Sequence, residues 1–275
     1  MLQKKIFLVI TVLWLSSAFS SEISYIDVGD GQPLILIHAF PTDARLWEPQ
    51  RKGLQQNFRV ITPDLSGFGE SSPVDGHAIT MAEYADQVKQ LLDQLNISKA
   101  IIGGESMGGY IALAFLKKYP DRIDGLVLSN TQSFDDSEET KAKREAGAID
   151  VLKNGTAKLI DDFMPKALSP HASDETRLTL RNILQSQSPT AIASALRGMA
   201  LREDTSGVLA RAQVPILIIT GDQDSLIPPE QSLHMHHLAK NSLLAYIHAA
   251  HLSSLERPED WNDTVTFWFS RSKIH

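Results

Sequence analysis

Gly103-Gly104-Glu105-Ser106-Met107-Gly108-Gly109 is the stretch that decides the fold of this chain, because it places a serine in a Gly-x-Ser-x-Gly pattern. The apolar residues 100–104 predict a strand before the serine, and the periodicity of residues 107–118 predicts a helix after it. A serine at such a sharp turn has a strained backbone, and the residues two positions away crowd it unless they lack a Cβ atom. The turn presents the hydroxyl at the open end of a sheet, so the pattern predicts that Ser106 is a nucleophile.

The rest of the chain alternates short apolar runs with longer helical patterns, which is typical of a mostly parallel sheet flanked by helices. We expect strands at residues 23–28, 34–38, 59–63, 100–104, 125–129, 214–220 and 243–248. Helical periodicity marks residues 81–95, 107–118, 229–238 and 258–269. Several of the strand runs are continuously apolar, as expected for strands that are covered on both faces.

This alternation stops between about residues 131 and 211, where polar helical segments replace the strands. Turn dipeptides separate these segments, namely Asn154-Gly155, Ser169-Pro170 and Ser188-Pro189. We therefore predict a helical cap inserted over one end of the sheet at residues 132–206. Residues 21–131 and 207–275 then form the α/β core.

Composition favours an acidic globular enzyme and argues against a nucleic-acid partner. The 275 residues are 43% hydrophobic and 21% charged, with a net charge of −7 and no cysteine. Lys4 and Lys5 precede an uncharged run of ten residues and then small residues at Ala18 and Ser20, which is typical of a secretory signal peptide. That run is too short to span a bilayer as a helix. We therefore expect cleavage of residues 1–20, a secreted or periplasmic enzyme and no stable membrane anchor.

A serine hydroxyl needs a base to take its proton and a carboxylate to orient that base. Two carboxylates, Asp222 and Asp224, follow the strongest C-terminal strand. Two imidazoles, His248 and His251, follow the next strand. Spacing alone does not choose within either pair.

Four blocks of sequence together resemble the α/β-hydrolase superfamily, specifically its cap-bearing esterases and lactonases similar to 3-oxoadipate enol-lactonase. The resemblance runs from about residue 24 to the C-terminus and is weakest in the cap. The blocks are His38-Ala39-Phe40-Pro41 with Trp47 after it, Pro63-Asp64-Leu65-Ser66-Gly67-Phe68-Gly69-Glu70-Ser71, the turn around Ser106, and the Asp and His segments. The resemblance implies an α/β-hydrolase fold with a helical cap.

The resemblance also assigns roles at the site. It implies that Asp224 is the acid and His251 the base, with Asp222 and His248 as the alternatives. Backbone N–H groups of Met107 and Phe40 would form the oxyanion hole, a pair of donors worth a few kcal/mol of barrier. The sequence departs from the family pattern at Ala39 and at Ala250, where glycine is usual. Either methyl group could narrow the site or shift its loop.

The implied reaction is hydrolysis of a carboxylic ester or lactone of small to medium size through an acyl-enzyme, without cofactor or metal. A serine at position 106 argues against related haloalkane dehalogenases and epoxide hydrolases, which use an aspartate there. Two alternatives stay open. One is a perhydrolase-type haloperoxidase with the same three residues, and the other is a non-catalytic ligand-binding member of the fold.

Other chemistry-bearing residues have two interpretations each. Glu105 could act electrostatically on the base or serve as a hydrogen-bond acceptor for a neighbouring loop, and the second is the simpler. A helix carrying His234, His236 and His237 could hold a metal, although surface histidines are the more common case. Three residues of the insertion could line a substrate pocket or form the core of the cap: Phe134, Phe163 and Met164.

Overall fold

The computed structural model describes residues 23–271, and the predicted signal peptide at residues 1–20 lies outside them. A central sheet of seven strands runs through the described part of the chain in the order β1-β3-β2-β4-β5-β6-β7. The strands are β1 (Tyr25–Val28), β2 (Gln32–Ile37), β3 (Phe58–Pro63), β4 (Ala100–Glu105), β5 (Ile123–Ser129), β6 (Ile216–Gly221) and β7 (Ser242–Ile247). Each lies within about two residues of its predicted position.

The sheet is parallel apart from its first edge. β1 pairs with β3 antiparallel, and the other five pairings are parallel. In the parallel part, Ile37 of β2 lies beside Gly104 of β4, and Glu105 lies beside Ser129 of β5. This topology confirms the predicted fold class, a mostly parallel sheet flanked by helices.

Helices cover both faces of the sheet. They are α1 (Glu48–Leu54), α2 (Met81–Gln94), α3 (Met107–Lys118), α4 (Glu138–Asn154), α5 (Ala157–Ala167), α6 (Asp174–Gln185), α7 (Pro189–Ala200), α8 (Ser206–Leu209), α9 (Pro229–Leu238), α10 (Ser253–Glu256) and α11 (Pro258–Arg271). Local signals fix their ends, as where Thr80 and Glu83 form a reciprocal capping box at the start of α2. Within residues 23–271, no helix combines the length and apolar character that crossing a membrane requires.

Alternate side chains of the strands enter two separate cores. Ile35 and Ile37 pack in one cluster with residues of α2 and α3. Leu34 and Leu36 pack in the other with Trp47 and Trp261, whose rings lie 5.3 Å apart. Since successive strand residues point to opposite faces, a strand segment buried on both sides is expected to be apolar throughout, as residues 34–37 of β2 and 216–219 of β6 are.

The segment between β5 and β6 is helical, as the loss of strand signals predicts. Its helices α4 to α7 join both cores, with Ile192 of α7 in the first and Met164 of α5 in the second. Leu252 donates from its backbone to Ala167 O at 2.9 Å, which ties the end of α5 to the chain after β7. The limits of the cap at residues 132 and 206 stay a prediction.

Candidate active site

The parallel strands bring the predicted site residues to one edge of the sheet. Ser106 directly follows β4, Asp224 follows β6, and His251 follows β7. Because the carboxyl ends of parallel strands meet at the same edge, loops that are far apart in sequence converge there. All three side chains are buried in the structure, with residue exposures of 8%, 4% and 2% respectively.

Ser106 occupies the strained turn that the sequence predicts. Its φ of 56° and ψ of −115° lie in a region that residues with a Cβ rarely adopt, at a cost of about 1–3 kcal/mol. A Cβ on Gly104 would lie 2.1 Å from the carbonyl carbon of Gly108, and one on Gly108 would lie 2.1 Å from Ile37 O. Both glycines are therefore required for the helix to start this close to the sheet.

His251 connects the serine to the acid. Its Nε2 lies 2.8 Å from Ser106 Oγ, and its Nδ1 lies 2.8 Å from Asp224 Oδ2. An ionised carboxylate can only accept, so Nδ1 carries the proton and Nε2 is left to accept from the serine hydroxyl. This arrangement allows the imidazole to take the serine's proton as its oxygen attacks.

Asp224 is held ionised by four donors. Its Oδ1 accepts from the backbone N–H groups of Leu226 and Ile227, both at 2.9 Å. Its Oδ2 accepts from Asn130 Nδ2 at 2.9 Å in addition to the imidazole. Burial opposes the charge, but the neighbouring His251 and these hydrogen bonds outweigh it and hold the pKa of Asp224 below its usual range.

The alternative acid and base form a different pair. His248 Nδ1 lies 2.9 Å from Asp222 Oδ2, and both side chains are well exposed, at 64% and 42%. Gln223 also contacts this imidazole through its side-chain amide. Asp222 and His248 are thus a surface pair, separate from Ser106.

The two predicted oxyanion donors follow neighbouring strands, Met107 after β4 and Phe40 after β2. Met107 begins α3, three residues after Gly104, and Phe40 comes three residues after Ile37, the partner of Gly104 in the sheet. The turn that carries Phe40 is fixed, because Ala39 O accepts from both Thr42 N at 2.9 Å and Thr42 Oγ at 2.8 Å. Both backbone segments therefore meet at the edge where Ser106 presents its hydroxyl.

A buried histidine supports the same turn. Leu65 donates from its backbone to His38 Nε2 at 3.2 Å, so the ring's proton is on Nδ1, which lies 3.0 Å from Ala39 O. Burial lowers the pKa of His38 and keeps the ring neutral. Ala39 is fully buried here, and Ala250 is almost fully buried. The structure therefore accommodates the alanine side chain at both positions where glycine is usual in the family.

A family profile described as alpha/beta hydrolase fold matches residues 32–258, which include all of this machinery. The chain belongs to the alpha/beta hydrolase family. A thermophilic esterase from Thermogutta terrifontis is 35% identical with a TM-score of 0.89, covering 91% of this chain and 94% of that one. The 3-oxoadipate enol-lactonase 1 of Acinetobacter baylyi is 29% identical over 230 residues, or 82% of this chain and 84% of that protein. A bromoperoxidase from Bacillus anthracis is 26% identical with a TM-score of 0.80, covering 91% and 96%.

These similarities confirm the predicted family and the prediction that the chain is a hydrolase. What each relative acts on is a property of that relative.

Glu105 of this hydrolase is a hydrogen-bonded acceptor, the simpler of the two sequence interpretations. Its carboxylate is fully buried, directly before Ser106 in the chain, and accepts from Ser254 Oγ at 2.6 Å and from Ser254 N at 3.2 Å. Burial raises the pKa of Glu105, and the hydrogen bonds from Ser254 and the charge of His251 oppose that rise. The contacts join β4 to the chain that follows the base.

The three cap residues of uncertain role have three different surroundings. The rings of Phe163 and His251 are perpendicular, with their centroids 6.5 Å apart. Met164 is buried in the core shared by the cap and the sheet. Phe134 is partly exposed and stacks on His234 at 4.5 Å. Only Phe163, of these three, contacts the predicted machinery.

The histidines of α9 are used separately. His234 stacks on Phe134, whereas His236 Nδ1 lies 2.8 Å from Ser242 Oγ. His237 lies beside His236 with a ring separation of 6.2 Å. Across residues 23–271, no three His, Asp or Glu side chains are grouped so that they could hold a metal ion.

Sequence reasoning missed the residues that support the acid and the base. Asn130 follows β5 and bonds Asp224, while Ser253 Oγ donates to Asn130 Oδ1 at 2.6 Å. Polar residues at the carboxyl end of a predicted central strand are a usable signal, because that edge is where the site forms. Applied to residues 129–131, it points to Ser129, Asn130 and Thr131.

Proposed function

We propose that this protein is a serine hydrolase that cleaves carboxylic esters or lactones through an acyl-enzyme, with Ser106, His251 and Asp224 as the catalytic residues. The observation that carries the proposal is the continuous hydrogen-bond chain from Ser106 Oγ through both ring nitrogens of His251 to Asp224, each link 2.8 Å long. This connectivity activates a hydroxyl that is otherwise a poor nucleophile. The same hydrogen-bond chain argues against a ligand-binding protein without turnover, because such a protein does not need an activated serine.

Acylation begins when Ser106 Oγ attacks the carbonyl carbon of the substrate and its proton moves to His251 Nε2. The carbonyl oxygen becomes an oxyanion and accepts from the backbone N–H groups of Met107 and Phe40, at the N-terminal end of α3. Asp224 stabilises the imidazolium without taking its proton. The tetrahedral intermediate then collapses, the bond to the alcohol oxygen breaks, and that oxygen takes the proton from Nε2.

Deacylation repeats these steps with water. His251 Nε2 removes a proton from water, the resulting hydroxide attacks the acyl carbon, and Ser106 Oγ leaves with the proton that the imidazole holds. The products of an ester are an acid and an alcohol, whereas a lactone yields a single hydroxy acid. The same residues therefore serve both substrate classes.

The space beside the base favours a small to medium substrate. A cavity of about 290 Å³ lies between α4, α5 and Leu226, and Phe163 lines it while facing His251. Leu226, which comes two residues after Asp224, is another of its lining residues. The similarity to an esterase and an enol-lactonase supports ester or lactone cleavage in particular.

The direct test compares wild type with S106A on p-nitrophenyl esters of increasing chain length and on lactones of increasing ring size. We expect turnover of at least one class by wild type, and a fall in kcat of about 10⁴-fold or more in S106A. Equal turnover by both proteins would overturn the proposal. So would the absence of turnover on every ester and lactone.

The similarity to the Bacillus anthracis bromoperoxidase favours a second candidate, perhydrolase-type haloperoxidase activity. Hydrogen peroxide would replace water in deacylation, so that the acyl-enzyme releases a peracid, which then oxidises bromide to hypobromite and returns the acid. Bromination of a phenol-red indicator in acetate with peroxide tests it. Bromination that requires Ser106 supports this candidate, and its absence alongside ester turnover excludes it.

We further propose that the enzyme is secreted or periplasmic, on the strength of residues 1–20 alone. Expression in the source cell, followed by mass spectrometry of the exported protein, tests this. A mature N-terminus near Ser21 supports export. An uncleaved chain confined to the cytoplasm contradicts it.

A further inference from the structure

Glu105 joins the nucleophile strand to the loop that carries the base. It is the last residue of β4 and immediately precedes Ser106, and its side chain is fully buried. Its Oε2 accepts from Ser254 Oγ at 2.6 Å, and its Oε1 accepts from Ser254 N at 3.2 Å. One carboxylate thus holds both the side chain and the backbone of a residue three positions after His251.

Ser253 strengthens this junction from the other side. Its Oγ lies 2.6 Å from Asn130 Oδ1 and 3.2 Å from Glu105 Oε1, so its one proton goes to the nearer oxygen of Asn130. Asn130 in turn donates to Asp224 Oδ2. The start of α10 is therefore hydrogen-bonded to β4 through Ser254 and Glu105, and to Asn130 through Ser253.

A second carboxylate anchors the residue before the base. Glu256 Oε2 accepts from Ala250 N at 3.1 Å and from Ser169 N at 2.9 Å. His251 thus lies in a short segment fixed at Ala250 by Glu256 and at Ser254 by Glu105. Between these anchors the imidazole has little freedom to move relative to Ser106.

Burying a carboxylate is costly, and the cost is offset only when donors surround it. An apolar side chain could fill this position beside the sheet without that cost. The hydrogen bonds that Glu105 accepts all come from residues close to the site, which gives the residue a role beyond packing.

We propose that Glu105 is a positioning residue for His251, holding its loop through Ser254 so that Nε2 stays within hydrogen-bond distance of Ser106 Oγ. The inference rests on the proposed function, because it assigns Glu105 a part in serine activation. Positioning needs a hydrogen-bond acceptor at this site but not a negative charge. A displacement of the imidazole of about 1 Å is enough to reduce turnover up to about 100-fold.

The experiment measures kcat, KM and the unfolding midpoint for E105Q, E105M and S254A on one p-nitrophenyl ester. Glutamine keeps an acceptor for Ser254 N, and its amide can donate to Ser254 Oγ, so E105Q should retain kcat within about threefold. E105M and S254A should lose about tenfold or more in kcat with KM within about twofold, because binding is untouched. S254A removes a single hydroxyl, so it still tests the inference if E105M does not fold.

S232A is the matched control. Ser232 is fully buried in α9, and its Oγ has no hydrogen-bond partner among residues 23–271. This variant should keep the wild-type kcat.

Three results would overturn the inference. The first is a wild-type kcat in S254A, and the second is a loss of kcat in S232A equal to that in S254A. The third is a loss of total activity that parallels a lower unfolding midpoint while kcat per titrated active site stays at the wild-type value. Activity retained by S106A would instead overturn the proposed function itself. The two failures are therefore distinguishable.

Discussion

Asn130 donates from its side-chain amide to Asp224 Oδ2 at 2.9 Å, the same carboxylate oxygen that lies 2.8 Å from the imidazole of His251. Asn130 directly follows β5 and has a φ of 45°, in the left-handed region that asparagine tolerates better than most residues. Its amide therefore holds Asp224 from the end of a strand that precedes none of the three residues proposed as catalytic. The acid is aligned by its own turn and by a neighbouring strand together.

Loss of this amide should slow turnover without unfolding the protein. N130G suits the positive φ and removes the donor, and we expect kcat to fall about tenfold with KM within about twofold. Asn96 also has a positive φ, of 54°, and is exposed, so N96G is the matched control and should match wild type. Equal effects of the two variants on kcat would contradict a role for Asn130 at the site.

Neutralising the acid should have a much larger effect. D224N removes the acceptor that selects the imidazole tautomer, and we expect kcat to fall about 10⁴-fold. D222N changes the carboxylate of the exposed Asp222–His248 pair, and its kcat should stay within about twofold of wild type. Steady-state kinetics on one ester shows which aspartate is the acid. A larger loss of kcat in D222N than in D224N would assign that role to Asp222.

Stability should depend on pH through a buried ion cluster outside the site. Asp136 Oδ2 lies 2.7 Å from Arg202 Nη1 and also bonds Arg144 Nε. Burial opposes the charge of Asp136, but both arginines outweigh it and hold its pKa below the usual value of 3.8. A pKa depressed by folding contributes stability that is present above about pH 4 and is lost as the pH falls through the folded-state pKa.

D136N should therefore be less stable than wild type by about 3 kcal/mol at neutral pH, with the gap narrowing below about pH 4. Urea unfolding of both proteins at neutral pH and below about pH 4 measures this difference in stability. D135N alters the exposed neighbour and should match wild type throughout. A gap that is the same at both pH values would show that the ion pairs do not cause it.

Phe163 should help set substrate size, because its ring lies perpendicular to that of His251 at a centroid distance of 6.5 Å. F163A enlarges the space beside the base, and we expect the ratio of kcat/KM for hexanoate over acetate esters to rise about tenfold. F134A removes an aromatic ring that stacks on His234, and should leave the ratio within about twofold. A ratio unchanged in F163A would exclude this ring from the substrate pocket.

The sequence predicted the parts of the fold that local pattern determines. The strands and the helix around Ser106 follow from apolar periodicity, and Gly104 and Gly108 follow from the space that the turn leaves. The pairs Asp222 or Asp224 and His248 or His251 could not be resolved by spacing. Residues two or three positions apart on one loop can point in different directions, and only the fold places one pair inside and the other on the surface.

The partners of Glu105 were beyond the reach of sequence for the same reason. Glu105 and Ser254 are 149 positions apart, and they meet only because β4 and the loop after β7 end at the same edge of the sheet. The cap shows a similar limit, since Met164 is buried in the core, whereas the adjacent Phe163 packs against that core and also lies beside His251. Helical periodicity alone does not say which face of α5 meets the sheet.

The most direct test of the central claim is covalent labelling of the nucleophile. Wild type is incubated with a p-nitrophenyl phosphonate, digested and analysed by mass spectrometry, with S106A and S232A treated alike. We expect one phosphonyl group per chain, on the peptide that contains Ser106, in wild type and S232A, and none in S106A. A label on another residue, or equal labelling of S106A, would contradict the assignment of Ser106 as the nucleophile.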